Sequence, residues 1–263
     1  MVLGVIGGCG PAAGVWFLNR LVALTEAATD REHVDLLYTG RASTPDRTAY
    51  LTGKSEASPA RSLTEDARSL AAGGADVLVL LCHTAHAFLP EIRASVPRPI
   101  LNMPGLALAY AWRHGLAPLG VLCTEGSCIA GVFTHTARRL GLPLRYPDAA
   151  SRAEVEQDIY RQIKAGAGTS CLAVERAARA LTDGGCRAVL LGCTELSMLY
   201  PPSSRGGDSR LFSPPGERCL YLDPVEILAR CCIRLCGKKV KEESSDAAAY
   251  ASLRPSCRET ATV

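Results

Sequence analysis

The chain has 263 residues, 48% hydrophobic and 21% charged, which is enough apolar material for one large domain or two lobes with real cores. Its formal net charge of +3, with basic residues dispersed except at Lys238, Lys239 and Lys241, argues against nucleic acid or an anionic membrane as partner. No apolar run reaches the ~18 residues of a membrane span, and residues 1–8 lack a basic leader region, so a cytoplasmic protein without a secretory signal is expected.

In chain order, residues 2–6 read as a strand and 12–28 as a helix. Residues 34–38 are a strand, and 59–72 a helix closed by Gly73-Gly74. A buried strand at 77–81 leads into a helix that runs through Arg93. A short strand at 99–101 and a helix at 105–113 follow. The theme then repeats: strand 119–123, helices 129–140, 155–164 and 172–182, strand 188–191. Residues 201–217, rich in Pro, Gly and Ser, read as a flexible excursion. A strand and helix resume from Leu220 to Leu235, and the polar tail reads as disordered.

This alternation predicts an α/β fold of mostly parallel sheets flanked by helices. The two halves echo one another. Gly73-Gly74 precedes a strand ending at Cys82, and Gly184-Gly185 precedes a strand ending at Cys193. We therefore expect two pseudo-symmetric lobes with the active site in the cleft between them. The first lobe takes 1–100 plus 218–237 and the second 101–200. Residues 201–217 form the loop and 238–263 the tail.

Twelve cysteines raise the question of disulfides. Disulfide frameworks belong to small secreted chains, whereas most cysteines here lie in apolar or helical contexts. Free thiols in a reducing compartment are expected. Metal is not expected: no cysteine pair has Cys-x-x-Cys spacing, and His83 and His86 lack the i, i+4 spacing of a helical ligand pair.

Cys82 and Cys193 carry the chemistry. A residue just past the carboxyl end of a parallel strand lies where open α/β sheets bind ligands. Two such thiols facing one pocket can remove a proton from one face of a carbon acid and return it to the other. Taken singly, either is equally a buried structural thiol. Each is expected at a helix start, where backbone N–H groups favour an anion. Gly7-Gly8-Cys9-Gly10 is a tight turn after the first strand; Gly8 and Gly10 begin like a dinucleotide fingerprint, but the third glycine is missing and Pro11 intervenes. Arg47, in a polar loop, offers a bidentate fork to a carboxylate. Lys164 adds a second cation or simply solvates a helix end. Thr84, Thr124, Ser127 and Thr194 are hydroxyl donors for a carboxylate, or helix caps. His83 and His86 are placed to tune or orient Cys82, or are satisfied helix-start histidines. Glu195 is placed to hold an ammonium or to activate Cys193, or is a first-turn acid.

Taken together, these segments resemble the aspartate/glutamate racemase superfamily, its aspartate racemase branch most closely. The resemblance runs from Gly4 to about Leu235. It rests on Gly7-Gly8-Cys9-Gly10-Pro11, on Pro45-Asp46-Arg47-Thr48-Ala49-Tyr50 and on Leu191-Gly192-Cys193-Thr194-Glu195-Leu196. Thr124-Glu125-Gly126-Ser127, Ile163-Lys164-Ala165-Gly166 and Asp223-Pro224 add to it. His83 stands where the family usually has Asn, Cys9 where Met is common, and the 201–217 segment is longer than expected. The resemblance implies a cofactor-independent racemase acting on a small amino acid, most closely aspartate. It implies Cys82 and Cys193 as base and acid, with Arg47 and Lys164 on the acidic side chain. It also implies that Gly8 and Gly10 line the carboxylate pocket, and that the protein is a homodimer. Rival readings are a broad-specificity racemase or related isomerase or decarboxylase, and a catalytically weak carboxylate-binding protein.

Overall fold

The computed structural model describes residues 1–166, 172–205 and 208–241. The first half contains β1 (Leu3–Ile6), α1 (Pro11–Leu24), β2 (Leu36–Thr39), α2 (Arg47–Leu51), α3 (Ala60–Ala72), β3 (Val77–Leu80), α4 (Leu89–Ser95), β4 (Ile100–Leu101) and α5 (Met103–Arg113). The second contains β5 (Leu119–Leu122), α6 (Glu125–Ile129), α7 (Thr134–Leu140), β6 (Leu144–Arg145), α8 (Ala149–Gln157), α9 (Leu172–Asp183), β7 (Ala188–Leu191), β8 (Leu211–Phe212), β9 (Tyr221–Leu222) and α10 (Pro224–Leu235).

The strands form two sheets, ordered β2-β1-β3-β4 and β6-β5-β7-β9-β8. All pairings are parallel except β8 with β9. The four parallel strands of each sheet occur in the same relative order, so β1 corresponds to β5, β3 to β7 and β4 to β9. β1, β3, β5 and β7 are buried throughout. That is why they read as continuous apolar runs rather than as alternating ones: helices cover both faces. The pseudo-symmetry places Cys82, after β3, and Cys193, after β7, at equivalent central positions. It puts both thiols at carboxyl ends, where the loops of a parallel sheet converge.

The structure departs from the sequence expectations at several places. The helices expected directly at Cys82 and Cys193 are short 3-10 turns, Thr84–Phe88 and Leu196–Leu199. So few residues sum to little macrodipole, and any thiolate must find its stabilisation elsewhere. The helix expected over 129–140 is broken between α6 and α7, with Gly131 at φ +62°. The helix expected over 155–164 begins earlier, as α8, and continues as π-helix through Asp158–Lys164. The excursion at 201–217, expected to be flexible, is built among its described residues: a 3-10 turn at Pro202–Ser204, strand β8, and a buried Arg205. Strand β9, grouped above with the first lobe, pairs with β7 in the second sheet, while α10 packs against α1 and α5. The start of the expected tail is also paired: Lys241 donates its N–H to Leu24 O at 2.8 Å, and Val240 bridges Thr25. Residues 242–263 lie outside the described residues. No helix among the described residues is long and apolar enough to cross a membrane.

Candidate active site

Four loops build the site. The first leaves β1 through Gly7-Gly8-Cys9-Gly10. Gly8 has φ +81°, and a Cβ there would meet the Arg41 backbone at 2.5 Å, so glycine is required. The second leaves β2 and ends at Asp46, whose carboxylate accepts the Ala49 N–H at 2.7 Å and caps α2. This cap fixes Arg47 at the first helical position. The third and fourth loops carry Cys82 and Cys193. Lys164 arrives from the end of the π-helix; such windings recur at functional sites.

Arg47 is 7% exposed. Its Nη2 donates to Cys9 O at 2.6 Å, and its Nη1 to Thr44 O at 3.3 Å and Pro45 O at 3.2 Å. Its Nε has no partner. No carboxylate of the described residues forms an ion pair with it. A buried guanidinium is therefore oriented by carbonyls and left without a carboxylate counter-ion. Burial opposes its charge, but the Cys82 and Cys9 sulfurs hold its pKa up. Lys164 Nζ lies 3.2 Å from Glu195 Oε1 and donates to Cys9 O at 3.4 Å. Burial again opposes the charge, and Glu195 and the Cys193 and Cys82 sulfurs raise its pKa.

Cys82 and Cys193 have opposite proton affinities. At Cys82 the hydrogen bond from the Cys9 thiol, then Arg47 and Lys164, outweigh burial and lower the pKa. At Cys193 burial raises it, and the Glu195 carboxylate adds to this. The Cys193 thiol donates to Glu195 Oε2 at 2.9 Å, and Thr194 Oγ1 donates to the same oxygen at 3.0 Å. Glu195 is itself held ionised by Lys164 and by the Cys193 thiol, against burial. One sulfur thus favours thiolate and the other thiol, and they share Lys164 and Glu195 as neighbours.

Between the lobes lie three buried hydroxyls. Thr84 Oγ1 is 2.9 Å from Thr124 Oγ1 and 2.8 Å from Ser127 Oγ, which are 3.1 Å apart. Thr124 also caps α6 by accepting the Ser127 N–H, as the cap reading expected. His86 Nδ1 contacts Cys82 O at 2.8 Å while its Nε2 accepts the Met103 N–H. That fixes the tautomer and pins the Cys82 backbone. His83 behaves differently. Its ring packs against Phe133 at 5.5 Å, neither nitrogen has a partner, and burial lowers its pKa well below normal.

A cavity of about 300 Å³ is lined by Gly8, Cys9, Gly10, Arg47, Lys164 and Glu195, among others. Cys82 and Cys193 each hydrogen-bond to a lining residue, Cys9 and Glu195 respectively. The sequence-derived residues Gly8, Gly10, Arg47, Lys164, Thr194, Glu195, Cys82 and Cys193 therefore converge. Thr84, Thr124 and Ser127 form a separate buried knot, and His83 points to the Phe133 ring rather than into the cavity lining. Sequence reasoning did not assign a role to Cys9, nor a helix cap to Asp46. A capping residue directly before Arg47 was the available signal for Asp46; nothing local pairs Cys9 with Cys82. Among the described residues, no group of three or more His, Cys, Asp or Glu side chains is placed to hold a metal.

Comparison with known proteins adds a family. The model described as Asp/Glu/Hydantoin racemase matches residues 6–232. Among solved structures, the chain is similar to an aspartate racemase of Picrophilus torridus, with TM-score 0.76, 24% identity, and 91% of this chain and 96% of that one covered. It is similar to an aspartate racemase homologue of Pyrococcus horikoshii OT3, with TM-score 0.68, 18% identity, and coverage of 89% and 98%. A glutamate racemase of Aquifex pyrophilus follows at TM-score 0.57, 18% identity, and coverage of 89% and 84%. At these identities the likeness to solved structures concerns the two-lobed fold.

Proposed function

The chain belongs to the Asp/Glu/hydantoin racemase family, and we propose that it interconverts the enantiomers of an acidic amino acid, aspartate first, with two cysteines as base and acid. The observation that carries this reading is the placement of two thiols at equivalent strand ends beside one charged cavity, Cys82 next to Cys9 and Arg47 and Cys193 donating to Glu195; these neighbours and burial favour thiolate at Cys82 and thiol at Cys193. A racemase needs one deprotonated and one protonated group at the moment substrate binds.

In this reading the Cys82 thiolate takes the α-proton, and the Cys193 thiol delivers its own proton to the opposite face. The turnover leaves Cys82 as thiol and Cys193 as thiolate, the form that runs the reverse direction. The negative charge that develops on the α-carboxylate is met at the Gly8-Cys9-Gly10 turn that lines the cavity, where backbone N–H groups stabilise it more as it grows. Glu195 receives the substrate ammonium. The side-chain carboxylate pairs with Arg47, whose charge lacks a carboxylate partner, and with Lys164. A cytoplasmic homodimer is the assembly we expect.

The Lys164–Glu195 ion pair favours a second reading. Lys164 is already neutralised, so a neutral side chain leaves that pair intact and only Arg47 uncompensated. A broad-specificity racemase follows from that. Incubating the purified protein with L-aspartate and, separately, L-alanine, and resolving enantiomers by chiral chromatography, separates the readings. D-Aspartate alone supports the first and comparable D-alanine the second. A folded protein that forms neither enantiomer contradicts both.

A further inference from the structure

We propose that Arg205, carried by the 201–217 segment, is a positioning residue for Cys193: it braces the turn that follows the thiol against the start of α10. This rests on the reading of Cys193 as an acid/base group.

The Cys193 turn cannot hold itself. Leu196 N donates to Cys193 O at 3.0 Å and Met198 N to Glu195 O at 3.1 Å, and the 3-10 helix ends at Leu199. So short a turn gains little from its own hydrogen bonds. Its shape must be fixed from outside, and Arg205 touches it at two points. Its Nη2 donates to Ser197 O at 2.9 Å and its Nε to Tyr200 O at 2.5 Å. Nη1 donates to Ser209 O at 2.9 Å and pairs with Asp223 Oδ2 at 2.8 Å. Asp223 closes the loop. Its Oδ1 accepts from Ser197 Oγ at 2.7 Å and from the Val225 N–H at 2.8 Å, which caps α10. The Arg205 guanidinium lies 4.5 Å over the Phe212 ring of β8. Its side chain is 1% exposed, so it serves no solvent or ligand contact.

The consequence is geometric. Glu195 Oε2 must meet both the Cys193 thiol and the Thr194 hydroxyl, and Oε1 must meet Lys164. Those contacts depend on the turn between Cys193 and Tyr200 keeping one shape. An arginine fork reaches two carbonyls of the turn, a third outside it and a carboxylate at once; a lysine cannot. The same anions connect onward to α1, because Arg20 pairs with Glu226, to which Ser209 Oγ donates at 2.8 Å. The described residues of the 201–217 segment thus form a strap from the first helix to the Cys193 turn.

The test uses the full-length protein with Arg205→Lys and Ser197→Ala. Ser197→Ala removes one hydrogen bond and keeps the buried ion pair, so it reports even if Arg205→Lys fails to fold. Two readouts are taken: kcat and KM for aspartate, and the pH dependence of iodoacetamide alkylation at each cysteine, located by mass spectrometry. We expect kcat to fall about tenfold in Arg205→Lys and about threefold in Ser197→Ala, because small misplacements of reacting groups are costly. KM should rise by less than kcat falls, since Arg47 still holds the side-chain carboxylate while Glu195, which receives the ammonium, moves with the turn. The alkylation profile of Cys193 should shift while that of Cys82 does not. The alkylation readout needs no turnover, so it stands apart from the racemase reading: a protein that never racemises aspartate can still show the Cys193-selective shift. Folded variants with unchanged Cys193 alkylation and unchanged kcat overturn the proposal, as does an equal shift at both cysteines.

Discussion

At Cys82 the Cys9 thiol and two cations act together against burial. Alkylation requires thiolate, and a lowered pKa moves its midpoint to lower pH. Cys82 should therefore react with iodoacetamide at pH values well below the ~8.5 of a free thiol, and Cys193 only well above it. Cys9→Ala removes the largest stabilising contact, so the Cys82 midpoint should move up while Cys193 stays in place. A Cys82 midpoint that ignores Cys9→Ala would remove Cys9 from the account. Activity follows the same signs: the rate should rise as Cys82 deprotonates and fall only once Cys193 loses its proton. Cys82→Ala and Cys193→Ala should each lower kcat/KM by at least ~10³, while Cys231→Ala, at a half-buried position within α10, should change it less than twofold. Near-normal turnover in either active-site variant would end the assignment. Much at this scale was legible. Cys82, Cys193, Arg47 and Lys164 stand in local contexts that mark them. Cys9 was not, because its partner is 73 positions away and only the fold brings them together.

At the scale of elements, two glycines separate function from packing. A Cβ at Gly10 would run into Glu195 Oε1, the far end of a side chain that can swing away. Gly10→Ala should therefore fold normally but lose at least ~10-fold in kcat/KM as Glu195 leaves Lys164 and Cys193. A Cβ at Gly126 would meet the Thr48 Cα at 2.8 Å, and that backbone cannot yield as a side chain can. Gly126→Ala should instead lose about 1–3 kcal/mol in denaturant unfolding. If Gly10→Ala keeps full activity, Glu195 is not part of the machinery. The strands were readable because burial on both faces makes apolar runs, and α3 because Gly73-Gly74 ends it. The turns after Cys82 and Cys193 were not. Four or five residues carry too little periodicity to tell a 3-10 turn from a helix. The 201–217 segment misled for another reason. Its Pro, Gly and Ser content signals a loop, whereas the arginine that orders it finds its partners on other elements.

At the scale of the molecule, the two sheets bring equivalent strand ends together, and the cavity lies among their loops. The pseudo-symmetry was visible in the sequence as twin strands ending in cysteine. The crossing of β9 into the second sheet was not, since a two-residue strand has no pattern of its own. In the proposed reading, charge balance in this cleft sets specificity. Aspartate neutralises Arg47, whereas alanine leaves it buried without a carboxylate, so kcat/KM for aspartate should exceed that for alanine by at least ~10², about 3 kcal/mol. Arg47→Ala should lose most of that preference; equal rates in the unaltered protein would favour the broad-specificity reading. The central claim is that two thiols work on opposite faces of one carbon, and solvent deuterium tests it most directly. L-Aspartate should be incubated with the protein in D2O and both enantiomers recovered at low conversion, then examined for deuterium at Cα. Two-base transfer predicts label in D-aspartate from the first turnovers and almost none in the remaining L-aspartate, because each thiol exchanges with solvent but serves only its own face. Equal label in both enantiomers would mean a single base serving both faces, and would contradict the assignment of Cys82 and Cys193 as partners.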